Sequence, residues 1–265
     1  MRKGVFAKKK LVFAVGFLCF MAMLDAQQAS NGFLLSGEVI YQEIVKMDIQ
    51  LEGVDAQLAD QIPKERKTEK VLHFTEEEAV FENHQKDDPE EAMHMEGSGI
   101  MIKMYQPDNK TYIDLKNKKV IEQKEFMSRV FLIESELEPT KWKMTGEQKE
   151  ILDYACQEAI TQVEGKDVHA WFTPQIGVAA GPGKYCNLPG LVLAVEMHDG
   201  DLTLEAIGIE LKPVDQSVLK KPTKGKKVTR DEYQAIVAEK MKEMGVEGDG
   251  NGAASTHSVV VRIQQ

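Results

Sequence analysis

Between Leu35 and Leu51 the chain alternates at period two. Leu35, Gly37, Val39, Tyr41, Val45, Met47, Ile49 and Leu51 share one parity, interrupted only by Glu43, while the other parity is largely polar. A two-residue period places successive side chains on opposite faces, so this segment predicts a long strand with one dry and one wet face. Shorter strand-like pieces follow at 69–74, 79–83, 100–105, 111–115, 119–126 and 128–133. Turn-forming runs separate them at Thr75-Glu76-Glu77, Pro107-Asp108-Asn109 and Lys116-Asn117-Lys118, where short polar side chains and proline favour reversal. The second half continues the meander at 150–163, 169–172, 191–197 and 202–211, with reversals at Glu164-Gly165-Lys166-Asp167 and His198-Asp199-Gly200-Asp201. The second reversal holds Asp-Gly, a favoured hairpin pair.

One segment carries the helical period instead. Thr229 with Glu232 forms a capping-box pattern, and Tyr233, Ile236, Val237, Met241 and Met244 make an apolar stripe that ends at Gly245. The expected fold is therefore mainly β: a large curved antiparallel sheet, a half-barrel or open barrel, with one C-terminal amphipathic helix packed in or against its concavity. The domain reading is a leader over 1–26, an antiparallel β domain over 27–219, a basic linker over 220–228, the helix over 229–245, and a Gly-rich tail over 246–265 with a last strand at Val259-Val260-Val261.

The leader reading rests on order. A basic stretch ending Lys8-Lys9-Lys10 precedes an apolar run from Leu11 to Leu24 and then Asp25-Ala26-Gln27. This is the order of a secretory signal peptide, with cleavage expected after Ala26. The apolar run is shorter than the roughly 20 residues that span a bilayer, and no later run is longer, so no transmembrane segment is expected in the mature chain. Gly16-Phe17-Leu18 before Cys19 lacks the small residue that lipidation of that cysteine would need. Of the formal charge of -10, the first 26 residues contribute five basic groups and one acid, which leaves -14 on the rest. So acidic a chain is unsuited to nucleic acid.

Export puts Cys156 and Cys186 in an oxidising compartment. A disulfide between them would stabilise the fold by about 3–4 kcal/mol in the chain-entropy model; the alternative is two separately buried thiols. The segment Gly181-Pro182-Gly183 to Asn187-Leu188-Pro189-Gly190-Leu191 fixes a long connection between strands. It reads either as a structural plug anchored by Leu188 and Leu191 or as a ligand-binding loop, since glycine and proline first of all solve a backbone problem. Met93-His94-Met95, near Met101 and Met104, offers soft ligands that suit Cu(I); the competing reading is an acidic loop beside a strand whose methionines fill a core. Asp87-Asp88-Pro89-Glu90-Glu91 lacks the alternating oxygen ligands and central glycine of a calcium loop. Cys156 with His169 is a nominal nucleophile and base with nothing around it to support catalysis, and His169 beside Trp171 reads as a hydrogen-bonded, partly buried histidine. No GxSxG or HExxH motif occurs.

The run Asn187-Leu188-Pro189-Gly190-Leu191-Val192, together with Trp142-Lys143, Tyr154-Ala155-Cys156, Ala170-Trp171-Phe172-Thr173-Pro174, Gly181-Pro182-Gly183 and the later Pro222-Thr223-Lys224-Gly225-Lys226-Lys227, resembles the exported GLPGLI family of Bacteroidota. Asn187 stands for the first glycine of that name and Val192 for its last isoleucine. The resemblance implies an exported envelope protein of unsettled biochemical role, periplasmic or associated with the cell envelope; with no catalytic motif in the sequence, a non-enzymatic protein is expected. On this reading it is a binding or structural module without a cofactor, whose sheet concavity would take an envelope protein, a peptide or an apolar ligand. The alternative function is copper handling through Met93, His94 and Met95.

Overall fold

The computed structural model describes residues 35–47, 63–84, 90–95, 100–163 and 165–244; the leader, the Gly-rich tail and its expected last strand lie outside them. Strands β1 (Gly37–Lys46), β2 (Glu65–Phe74), β3 (Glu78–Asn83), β4 (Glu90–Met95), β5 (Ile100–Tyr105), β6 (Lys110–Asp114), β7 (Lys119–Phe126) and β8 (Arg129–Glu136) come first. They are followed by β9 (Lys143–Ile151), β10 (Tyr154–Val163), β11 (Lys166–Thr173), β12 (Leu191–Met197), β13 (Leu202–Leu211), β14 (Lys226–Val228) and helix α1 (Arg230–Glu243). Twelve strands form one open sheet in the order β14-β8-β7-β6-β3-β2-β1-β13-β12-β11-β10-β9, and β4 pairs with β5 apart from it. The mainly β expectation holds, and among the described residues α1 is the one α-helix.

The topology is two meanders joined at their middle. β1 pairs antiparallel with both β2 and β13, so that Gly37 faces Phe74 on one side and Leu211 on the other. The period-two row of β1 drives this placement: Val39 and Tyr41 are fully buried, and their register partners Leu72 and Ala206 join the same core. The register shifts by one residue at Ile40/Tyr41 and Trp171/Phe172 and by two at Gln157/Ala159. Such bulges raise the local twist and bend a wide sheet.

Four readings are corrected. Residues 150–163 are not one strand: Leu152 and Asp153 turn the chain, both at positive φ, and Ile151 pairs with Tyr154 across the reversal. The preceding β9 escaped pattern reading because Lys143 through Gln148 are exposed, as suits an edge strand that must not invite a second sheet. Met93-His94-Met95 is strand rather than loop, with His94 opposite Met101 in the β4–β5 register. The linker over 220–228 ends in β14, which pairs parallel to β8 through Lys226, Lys227 and Val228.

Helix α1 closes one end of the sheet. Thr229 and Glu232 exchange both bonds of the capping box, and the stripe packs Tyr233 and Val237 against Phe126, Phe131 and Ile133, with Ile236 and Met241 alongside. Met244, expected in the stripe, is the C-cap and is 47% exposed.

Candidate functional site

The connection between β11 and β12 is built into the core. Ile176, Val178, Ala180, Leu188 and Leu191 all belong to the main apolar cluster, Leu188 at 2% and Leu191 at 0% exposure. The segment doubles back on itself: Asn187 N–H donates to the Ala179 carbonyl, Leu191 N–H to Ile176 and Val192 N–H to Ala180. Tyr41 Oη reaches in from β1 to donate to the Val192 carbonyl at 2.6 Å, and Trp142 Nε1 donates to the Cys186 carbonyl at 2.9 Å. Asn187 takes φ +66°, a left-handed angle that asparagine tolerates in place of glycine. At Gly190 a Cβ would lie 2.1 Å from the Thr173 carbonyl oxygen, and at Gly181 it would lie 2.0 Å from that of Tyr185. Pro182 is buried and Pro189 exposed. Leu188 and Leu191 thus anchor the connection in the core.

Cys156 and Cys186 are free and buried. The disulfide alternative is therefore corrected: Cys156 sits in the main cluster, while Cys186 joins Ile113, Val120 and Leu137 in a separate one. Burial raises the Cys156 thiol to about 11 and the Cys186 thiol to about 12, so neither is a thiolate near neutrality. Met93, His94 and Met95 are described only in their backbone. Of the acidic run, 87–89 lie outside the described residues. No group of His, Cys, Asp and Glu suited to a metal occurs among the described residues, nor does a helix long and apolar enough to cross a membrane.

The structure brings together a set of side chains that the sequence left scattered. Glu158 on β10 lies opposite Trp171 on β11, and Trp171 lies opposite Ala194 on β12, which in turn lies opposite Glu205 on β13. Paired positions of a sheet share a face, so these four form one row. His169, two residues before Trp171, presents Nδ1 to Glu158 at 2.8 Å, and Thr145 Oγ1 donates to the other Glu158 oxygen at 2.6 Å. A carboxylate can only accept, so His169 Nδ1 donates in this bond. Burial would push Glu158 up, but its bonds from Thr145 and His169, with the nearby Lys149, hold it below the usual carboxylate range. The expected hydrogen-bonded histidine is thus observed, with its partner named.

Lys149 completes the set. Its ammonium lies 4.8 Å from the Trp171 ring centroid and 3.2 Å from Glu205. β9 and β13 stand four places apart in the sheet, about 19 Å if it were flat. A lysine and a glutamate cannot span that distance, so the sheet curls here with this row on its concave side. Trp171 is half-buried on that side. The one signal for this site in the sequence was the His169-x-Trp171 spacing; Thr145, Lys149, Glu158 and Glu205 lie on three other strands.

Further along the sheet two ion-paired groups are buried. Glu43 accepts from Thr68 at 2.9 Å and meets Lys70 at 3.4 Å, and Lys70 also donates to Asn83. Glu122 meets Lys124 at 3.5 Å and binds Arg230 of α1. These hold strands and helix together.

The family model of the N-glycanase peptide, N-terminal domain, matches residues 89–235, more than half of the chain. The chain belongs to this family. Two solved structures of PNGF-II, in the C2 and P21 space groups, are similar to this N-glycanase N-terminal-type domain, each with a TM-score of 0.51, at 19% and 18% identity. Each likeness covers 77% of this chain and 33% of the other, so the domain spans about a third of the length of those proteins. At such identity the likeness is one of fold. No curated protein matches the chain.

Proposed function

We propose that this N-glycanase N-terminal-type domain is an exported, non-enzymatic recognition module of the cell envelope that holds N-glycan-bearing polypeptide. The observation that carries the reading is the family match over 89–235, since the name of that family puts the domain beside chemistry on N-glycans. The curled row with a half-buried tryptophan is the kind of shallow, polar-rimmed surface that binds a ligand without reacting with it. The two buried, protonated thiols support the non-enzymatic part, because a nucleophile must be accessible and activated. The leader supports the envelope address.

The test uses the mature chain and an N-glycosylated peptide beside the same peptide without glycan. Retention of the glycosylated peptide alone, recovered at unchanged mass, is expected. Equal retention of both peptides would overturn recognition, and loss of the glycan mass would overturn the non-enzymatic assignment.

A further inference from the structure

We infer that the concave row on β9–β13 is the carbohydrate site of this chain, with Trp171 as the stacking platform for a neutral pyranose and Glu158, His169, Glu205 and Lys149 as its hydroxyl partners. The inference rests on the recognition reading above and gives it a place. A pyranose has an apolar C–H face and a rim of hydroxyls that both donate and accept. It needs an aromatic face set among fixed acceptors and donors, which is what this row supplies.

The acceptors are held in advance. Glu158 is buried, its two oxygens positioned by Thr145 and His169. Trp171 is half-buried, and its register partner on β12 is Ala194, a short side chain. The Lys149 ammonium lies over the ring. Lys149 is held there by an ion pair with Glu205 whose side chains are 35% and 59% exposed, and such pairs hold weakly. A sugar can therefore displace Lys149 from the ring at small cost, and both charged groups then become hydroxyl partners.

Charge selects the class of sugar. Glu158 and Glu205 face Lys149, while Glu196, the register partner of His169, lies beside Gly200 together with the Lys46 ammonium. The two carboxylates around Trp171 outnumber its one ammonium, which disfavours a sialylated or sulfated glycan relative to an uncharged one.

The experiment titrates the mature chain with N,N′-diacetylchitobiose, following tryptophan fluorescence. The chain has two tryptophans, and Trp142 is committed to the Cys186 carbonyl, so the expected change comes from Trp171. Trp171→Ala should weaken binding about tenfold, the scale of one lost aromatic contact. Glu205→Lys should weaken it comparably by setting a second cation against the ring; Glu205 is exposed, so this variant keeps the test valid if Trp171→Ala fails to fold. Binding by the parent chain that both variants leave unchanged would overturn this site while leaving the recognition reading intact. Failure of the parent chain to bind either the disaccharide or the glycosylated peptide would overturn both.

Discussion

Leu188 is the residue on which the plug can be tested most directly. It packs in the main cluster on the returning limb of a doubled-back segment, and its deletion to alanine should cost about 2–5 kcal/mol, the range for buried leucines in well-packed cores. A shift in the urea midpoint at constant m-value would measure it, and an unchanged midpoint would mean that the loop is not anchored there. Gly190→Ala should be worse than its size suggests, because the new methyl would meet the Thr173 backbone. The thiols give an independent check. With Cys156 and Cys186 free and buried, a thiol reagent should find none in the folded mature chain, which lacks Cys19, and two after unfolding without reductant; none after unfolding would restore the disulfide. Glu158 sets a pH dependence whose sign follows from its depressed folded value. Its contribution is complete above the ordinary carboxylate range and is lost as pH falls through the folded value. Glu158→Gln should therefore flatten the acid limb of a stability–pH curve, and a limb unchanged in the variant would count against the Thr145–Glu158–His169 arrangement.

Among the elements, the β9–β10 hairpin has the wrong residues for its turn. Leu152 and Asp153 sit at φ +49° and +64° in a two-residue reversal of the kind that Asn-Gly favours. Replacing them by Asn and Gly should raise stability by about 1–2 kcal/mol, since left-handed backbone costs an ordinary L-residue that much; an unchanged melting temperature would show that the strain is relieved elsewhere. Their residue types explain why the segment 150–163 read as a single strand: nothing in Leu-Asp announces a turn. Helix α1 was legible from Thr229, Glu232 and the spacing of its apolar residues, because capping and period are local properties. Its second attachment, Arg230 to Glu122, was not, as the two lie 108 residues apart. The β14 pairing was equally hidden, three residues being too few for any period to show.

For the molecule as a whole, the decisive pairing is β1 with β13, which brings Gly37 beside Leu211 and joins the two meanders. Such long-range closure makes folding slow, on the order of milliseconds to seconds or longer. A chain ending at His198 lacks β13, leaves β1 without that neighbour, and should show no cooperative unfolding transition by circular dichroism. The sequence by itself determined the mainly β class, the helix and the extent of strands such as β7, β12 and β13, because alternation and capping are written within a few consecutive residues. It also marked Leu188, Pro189, Gly190 and Leu191 as a special connection, since those residue types restrict the backbone wherever they stand. Only the tertiary structure decided that this connection plugs the core, that Cys156 and Cys186 stay apart, and that Trp171, Glu158, Lys149 and Glu205 share one concave row. Those outcomes depend on strand order, on bulges and on the curl of the sheet, which arise from how distant strands pack and leave no periodic trace in any one of them.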